Sequence, residues 1–566
     1  MGSISFPKRE TLGTNITAGI TVALVSIPEG LAYAMVAGVD PIYGLYTGMV
    51  TTVVASLGIS TSLMIVTLTN ALALVTADTL GVLSPEIDQA TALFTLTFMV
   101  GGFMFLLGVL KLGSVIRFVA EEVMVGFVFV TALLIFLGQY DELVGYASEL
   151  DANKLVKAVD ITLNIGQWDP ATTVLGLSSI VVLLLLKRSS LKRFADVLII
   201  VIGSVVVLVL SLETVEIVGD FADIPRALPT PVLPDLSLFP VLAAGAVAAA
   251  VVGLAESSGV GSAYPNPSGR RSNMSRDFSG QGLGNLAGSF FQAMPAGGSL
   301  SRTGVNVSGG GTSRWAGVFA GLLMMIFVLL FGPLAELIPM AALAALLMVI
   351  GFEVMRKEWP GMIESWKISK LRSVAMIAVI VIGVADDLTV AIFVGVLLSL
   401  GIFVYESATG ARSYELFPVE GRLEERPVRE KLGSNEVAIM QLRGNIYFAS
   451  VYSFDEFLPD PSEARNSVII MRERDRDTVN LTAIDWLEKH AKTYREQGNR
   501  MIFTGLSEDT VQLYRELGVL EEVGEENVFL KKPELGASTR EALESAKVWI
   551  EENRAAETQE GEQEDP

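Results

Sequence analysis

Three ionisable side chains stand inside runs that are otherwise apolar. Glu29 follows Pro28 in the hydrophobic run that ends near Ala37. Glu256 closes the run that begins at Ala243, and Arg302 lies in Met294-Pro-Ala-Gly-Gly-Ser-Leu-Ser-Arg-Thr303. A charge in hydrocarbon costs on the order of 3 kcal/mol or more, so each must face a cavity or a partner. Arg302 reads in two ways. It is a fixed positive charge that offsets the desolvation of a bound anion, or one half of an Arg–Glu pair joining two parts of the fold. Glu256 is a carboxylate that takes up H+ or Na+ beside a site, or a helix-end residue at the membrane face. Glu29 is a site residue or an interface residue beside Pro28. Ser299, Ser301, Thr303 and Asn306 offer donors to an oxyanion, or satisfy backbone groups that a helix break leaves bare.

Other chemistries are excluded by composition. The chain of 566 residues has no cysteine and one histidine, His490. Disulfides, thiolate metal sites and histidine clusters are therefore ruled out. No Gly-x-x-x-x-Gly-Lys-[Ser/Thr] loop occurs, so ATP is not expected as the energy source. No nucleophile–base set is visible, and an enzyme is not expected. The net charge of −21 is uneven: about 34 acidic and 20 basic residues follow from Glu406 onward. That balance argues against nucleic acid and anionic headgroups as partners.

The elements that must hold these residues are membrane spans. Mean hydropathy is +0.51, and a spanning helix needs about 20 mostly apolar residues. Spans are expected near 14–37, 41–58, 62–80, 91–111, 117–139, 170–186, 194–212, 237–257, 277–293, 299–310, 315–338, 340–355, 371–385 and 388–405. Basic loop residues such as Lys111, Lys187/Arg188, Arg270/Arg271 and Arg356/Lys357 follow even-numbered spans, whereas acidic loops such as Asp141/Glu142 and Asp386/Asp387 follow odd ones. Lysine and arginine collect on the cytoplasmic side, which predicts cytoplasmic N- and C-termini in a multi-pass protein of the cell membrane.

Fourteen spans divide into two sets of seven, and the third span of each is irregular. Thr61, Ser62, Thr67, Thr69 and Asn70 make span three polar, while Pro295, Gly297 and Gly298 break span ten. Irregular backbone at membrane depth is tolerated only where it is buried in protein or lines a cavity. Matched interruptions in two halves point to a transporter binding site, with amide-bearing helix starts meeting an anion near the midplane.

Ile27-Pro-Glu-Gly-Leu-Ala-Tyr-Ala34 and Asp40-Pro-Ile-Tyr-Gly-Leu-Tyr46 strongly resemble the signature of the sulfate permease family, which includes prestin and pendrin. Leu110-Lys-Leu-Gly113, Arg117-Phe118, Val125-Gly-Phe127, Gly280-Gln-Gly-Leu-Gly-Asn285, Pro295 through Asn306 and Ile338-Pro-Met-Ala-Ala-Leu-Ala-Ala345 extend the match from about Thr14 to Tyr405. The resemblance implies a 7+7 inverted repeat, with a core domain moving against a gate domain and a site between spans three and ten. It implies Glu29 and Tyr33 as wall residues of the first span, Ser301 and Arg302 as the anion-facing pair and Glu256 as the eighth-span acid linked to cation coupling. Tyr33 is an aromatic lid or an aromatic packing between helices. Thr69, Asn70, Ser299 and Leu300, at the two helix starts, complete the expected substrate-binding set. The chain departs from the family in having Asn70-Ala71 where relatives show Gly-Pro, and Glu29 where they carry a neutral residue.

After Tyr405 the composition turns polar. Val437–Leu442, Ser467–Met471 and Met501–Thr504 read as buried strands, and Thr482–Gln497 and Ser507–Leu517 as helices. Position and pattern resemble the STAS domain of the same family. Asn480 and Leu481 stand where the anti-sigma relatives have aspartate and serine, and Thr482 is expected to start a helix. The expected organisation is a transmembrane domain over 10–406, a small α/β domain over 435–532 and an acidic tail over 533–566, helical over Glu541–Asn553 and disordered elsewhere. The expected function is secondary transport of sulfate, bicarbonate or chloride, by an elevator motion coupled to H+ or Na+. A passive anion channel, or a dicarboxylate or nucleobase carrier on the same fold, is the alternative. No cofactor is expected beyond a coupling ion; the expected partners are a small inorganic anion, the bilayer and a second copy in a homodimer.

Overall fold

A computed structural model describes residues 9–113, 119–224, 226–385, 388–410, 412–419, 422–443, 458–473 and 480–563. Arg117-Phe118 and Asp386/Asp387 lie outside them. The chain forms two compact units, 1–400 and 401–566.

The first unit runs α1 (Arg9–Val36), α2 (Pro41–Gly58), β1 (Ile65–Thr67), α3 (Asn70–Gly81), α4 (Gln89–Val109), α5 (Glu121–Gly138), α6 (Tyr140–Val144), α7 (Lys154–Leu163), α8 (Pro170–Arg188) and α9 (Ala195–Leu210). It continues with α10 (Phe239–Ala263), α11 (Met274–Ser289), β2 (Gly297–Ser299), α12 (Leu300–Ser308), α13 (Trp315–Ala335), α14 (Met340–Ile368), α15 (Lys370–Ala385) and α16 (Leu388–Thr409). Setting aside the short α6 and α7, the described residues hold fourteen helical segments, one at each expected span.

Local chemistry sets the helix starts. Asp40, Asp88 and Asp169 accept from the backbone N–H groups of Ile42, Thr91 and Thr172 at 3.0, 2.8 and 2.7 Å, and Pro41 and Pro170 occupy first-turn positions. Aspartate supplies an acceptor for an orphan N–H, while proline has no N–H to leave unpaired. Seven stretches, among them Gln89–Val109, Trp315–Ala335 and Leu388–Thr409, are long and apolar enough to cross a membrane by length and composition. The others are polar or interrupted for a reason visible in the packing. Helix α11, with the sequence Ser279-Gly-Gln-Gly-Leu-Gly-Asn285, lies between α2 and α4 and meets backbone rather than lipid.

The two halves repeat several of one another's helix pairings. Helix α4 pairs with α10 as α13 pairs with α1, α4 with α11 as α13 with α2, and α5 with α15 as α14 with α8. Each second pair follows from the first by exchanging segments seven places apart. The pairings also sort the segments into a core of α1–α4 with α10–α13 and a gate of α5–α9 with α14 and α15. Helix α16 joins the gate through Gly395, packed against Val123 of α5 and Val379 of α15. This is the helical membrane fold, divided into core and gate, that the sequence implies.

In the second unit, β3 (Arg412–Val419), β4 (Arg422–Arg426), β5 (Val437–Arg443), β6 (Val468–Arg472), β7 (Arg500–Leu506) and β8 (Val528–Leu530) form one sheet in the order β4-β3-β5-β6-β7-β8. Strands β5 to β8 are parallel. Helices α17 (Leu481–Glu496), α18 (Glu508–Glu516) and α19 (Val519–Val523) follow the strands, and α20 (Ala537–Gln563) ends the unit. Alternate residues face opposite sides: Met440, Ile469, Met471 and Phe503 pack with Trp486 and Leu487, whereas Ile439, Ile470 and Ile502 pack with Ala542, Ala546 and Ile550. The helix expected at Glu541–Asn553 is thus longer and seated on the sheet. Its small residues at i and i+4 allow close approach, so this part of the tail completes the core instead of trailing from it. The helix-start residue is Asn480, which accepts from Ala483 N–H at 3.0 Å, and not Thr482. The antiparallel β3–β4 hairpin was not foreseen.

Candidate functional site

Strands β1 and β2 pair antiparallel, with Ile65 opposite Ser299, Val66 opposite Gly298 and Thr67 opposite Gly297. Each leads directly into a helix, β1 into α3 and β2 into α12. Two helix N-termini therefore flank a three-residue ribbon, roughly 10 Å apart by strand rise. Thr69 caps α3 by accepting from Leu72 N–H at 3.3 Å, and Ser299 caps α12 by accepting from Arg302 N–H at 3.3 Å. The broken spans are real, and both turn their positive dipole ends toward the ribbon.

A frame of buried polar groups holds that ribbon. Asn285 Nδ2 donates to the Ala296 carbonyl at 2.8 Å, and Ala296 N–H donates to Asn285 Oδ1 at 2.7 Å. Gly298 N–H donates to Ser257 Oγ at 3.0 Å, and Ile65 N–H to Thr303 Oγ1 at 3.1 Å. Asn306 Nδ2 donates to the Leu63 carbonyl at 2.8 Å. Thr303 and Asn306 therefore serve the freed backbone. At the turn before β1, buried Asp277 accepts from Thr61 N–H at 2.9 Å and from Thr61 Oγ1 at 2.6 Å, and also from Ser60. Asp277→Ala leaves those donors without their acceptor. It is expected to cost about 3 kcal/mol, seen as a lowered thermal midpoint, with Asp277→Asn recovering part of the loss.

Two glycines bring the remaining groups close. A Cβ on Gly44 would lie 1.9 Å from the Gly30 carbonyl oxygen, so α1 and α2 touch backbone to backbone beside Glu29. A Cβ on Gly297 would lie 2.9 Å from Gly253 Cα, so α10 crosses directly over β2. That crossing puts Glu256 at the start of α3, where Thr69 Oγ1 donates to Glu256 Oε2 at 2.8 Å. Glu256 sits well inside α10, which continues to Ala263. It does not end the helix.

Arg302 is 2% and Glu29 4% exposed. Arg302 Nη1 donates to Glu29 Oε1 at 2.6 Å, Nη2 meets Glu29 Oε2, and Nε donates to Ser26 Oγ at 3.0 Å. The guanidinium is thus held by a fork of hydrogen bonds from α1, and its charge is paired. Of the two readings of Arg302, the Arg–Glu pair is present, joining the first half to the second. Tyr33 is buried one turn further along α1. Leu300 turns its side chain into an apolar cluster with Met64, Val66 and Val260, which leaves its backbone as the part available to a ligand. Ser301 is exposed, and Asn70 and Glu256 are half-buried. Ser299 Oγ and Ser301 Oγ lie 3.2 Å apart. Sequence reasoning missed Ser26, although a serine three residues before Glu29 in an apolar run was a signal. It also passed over the bracing roles of Asn285 and of Gln281, which accepts from Ser257 Oγ at 2.5 Å, in a motif already noted.

No group of three or more metal-ligating side chains occurs among the described residues. The groups that the ribbon collects are helix N-termini, hydroxyls, one guanidinium and two carboxylates. Such a set can hold an anion together with a proton or a small cation.

The model of the sulfate permease family matches residues 12–379, and that of the STAS domain residues 429–535. YvdB of Bacillus subtilis (strain 168), which is named as a sulfate transporter, is 26% identical over 522 residues, covering 91% of this chain and 95% of that protein. The structure of the murine Solute Carrier 26 family member A9 (Slc26a9) anion transporter, solved in the inward-facing state, superposes with a TM-score of 0.82 at 19% identity, over 96% of this chain and 92% of that one. The transmembrane domain of a cyanobacterium bicarbonate transporter, BicA, gives a TM-score of 0.58 at 21% identity, over 70% of this chain and 99% of that one. At these identities the structural likenesses speak to the fold.

Proposed function

The chain belongs to the sulfate permease family of anion transporters, and from that premise we propose that it is a secondary transporter of a small inorganic anion, sulfate, bicarbonate or chloride, driven by a coupled H+ or Na+. The observation that carries the reading is the pair of capped helix starts across the β1–β2 ribbon. Backbone N–H groups of α3 and α12 point toward one place, with the hydroxyls of Thr69, Ser299 and Ser301 around it. Preorganised donors of this kind replace part of an anion's hydration shell without reorganising.

Coupling follows from charge. Arg302 offsets Glu29, and Glu256 has Thr69 but no basic partner among the described residues. With all three ionised, the site carries one net negative charge before any anion enters. An anion adds to that charge, so a proton or Na+ must enter with it. Glu256, at the start of α3, is the group to receive it. Transport proceeds by an elevator motion in which the α1–α4/α10–α13 core carries the ribbon past the gate, with both termini on the cytoplasmic side, where lysine and arginine collect.

The test is uptake by purified protein in liposomes, using labelled sulfate, bicarbonate and chloride, each with and without Na+ and proton gradients. Accumulation of one anion above equilibrium under one cation gradient is the expected result. Flux of all three that follows voltage alone, at channel rates, would replace the carrier with a passive pore.

A further inference from the structure

Helix α14 is longer than its apolar part requires. It runs 29 residues, Met340–Ile368, about 43 Å at 1.5 Å per residue, against a hydrocarbon layer of about 30 Å. Met340–Phe352 is uncharged, and Glu353 opens a charged stretch. From there the exposed side chains are of two kinds. Phe352, Trp359 and Trp366 recur every seven residues with Ile363 between them, and all four are exposed. Steps of seven, four and three place them on one side of the helix. Trp359 also reaches Phe129 of α5, with ring centres 6.1 Å apart, so this side runs beside the helices of the gate. The second kind is basic. Arg356, Lys357, Lys367 and Lys370 are exposed, and none has an acidic ion-pair partner among the described residues. Of the neighbouring acids, Glu353 and Glu122 are taken by Lys187 and Arg372. Glu358 lies beside Lys357 and Glu364 further along the strip, neither in an ion pair among the described residues.

We propose that the Glu353–Arg372 segment is a binding strip for anionic phospholipid headgroups. Trp359, Ile363 and Trp366 lie in the upper acyl layer, and Arg356, Lys357, Lys367 and Lys370 meet lipid phosphates. Tryptophan at the interface and basic chains reaching past it are what a headgroup layer accommodates. Charge complementarity selects this occupant over a second copy of the chain, because a two-fold contact would set the same four cations against one another. The strip carries five basic residues against three acidic ones, so it is locally positive although the overall charge of −21 argues against anionic headgroups for the chain as a whole. Bound in this way, the gate is held in one leaflet while the core moves. The inference depends on the membrane fold and not on which ion is carried.

The full-length protein, purified in mild detergent, is offered phosphatidylglycerol and phosphatidylcholine in equal amounts, and retained lipid is counted by native mass spectrometry. Each basic residue near a charged leaflet contributes about fivefold. Arg356→Gln, Lys357→Gln, Lys367→Gln and Lys370→Gln together are expected to lower the preference for phosphatidylglycerol at least a hundredfold and leave phosphatidylcholine retention unchanged. Replacing the three lysines with arginine is expected to keep the preference, as is Arg270→Gln with Arg271→Gln, an exposed basic pair elsewhere. If the fourfold variant does not purify, Lys367→Gln with Lys370→Gln is read instead, with about a 25-fold loss expected. An unchanged preference in the strip variants overturns the proposal. So does an equal loss in the Arg270/Arg271 variant, which would make the effect one of bulk charge. Retention of an acidic peptide in place of lipid would assign the strip to a protein partner and overturn it too.

Discussion

Arg302→Gln is expected to abolish anion uptake, by at least a hundredfold, and to destabilise the protein by about 3–5 kcal/mol. The two losses have different origins, and a second substitution separates them. The single change leaves Glu29, 4% exposed, without the guanidinium that donates to both of its oxygens. An uncompensated buried charge accounts for the stability loss. Adding Glu29→Gln removes that charge, and the side-chain amides can still bridge α1 to α12. The double variant is therefore expected to recover most of the thermal midpoint. It is not expected to recover uptake, because the positive charge within reach of the α12 start is gone. Midpoints measured with and without detergent-solubilised lipid, together with liposome flux, check both halves. If the double variant transports at a tenth of the native rate or better, Arg302 is only a strut. Glu29→Gln alone frees the guanidinium and is expected to raise affinity for the anion while weakening the dependence of uptake on the driving cation.

That pair also shows how far the sequence could be read. The positions of all fourteen segments were legible, because apolar runs and capping residues such as Asp40-Pro41 and Asp169-Pro170 act locally. The interruption at Pro295–Gly298 was legible for the same reason. Which groups meet across the interruption was not. Glu29 and Arg302 lie far apart in the chain, and only the backbone contact of Gly30 with Gly44, together with α1 packing on α12 and α13, brings them together. Glu256 carried a second reading, as a helix end at the membrane face, because it closes the apolar run from Ala243. The structure continues α10 to Ala263 because Ser257 and Val260 remain buried against neighbouring helices and so keep the turn in place. In the second unit, helix α20 read as a tail because charge dominates its composition. Its buried apolar residues are Ala542, Ala546 and Ile550, with Leu543 and Trp549 partly packed beside them, too narrow a stripe to outweigh the acidic residues around it.

Glu256→Gln is expected to uncouple transport rather than stop it. Glu256 accepts from Thr69 Oγ1 at the N-cap of α3, so it joins the helix start to α10. Glutamine keeps an acceptor for that hydroxyl and keeps the size of the side chain, but it cannot bind Na+ by charge or carry a proton. An ionised carboxylate in a site that closes to water is costly unless a cation accompanies it. On the proposed mechanism this cost bars the core from crossing with Glu256 bare, which would tie each crossing to the cation. With glutamine the bar is absent, and the core crosses with or without the ion. Accumulation against a gradient is therefore expected to fall at least tenfold, while exchange of labelled for unlabelled anion at equal concentrations stays within about threefold of native. Thr69→Ala leaves the charge but removes its hydrogen bond, and is expected to weaken coupling by a smaller factor, of about the order that one charge-assisted bond contributes. Loss of exchange and accumulation together in Glu256→Gln, with the protein still folded, would place Glu256 in the anion's own binding shell and leave the coupling to another group.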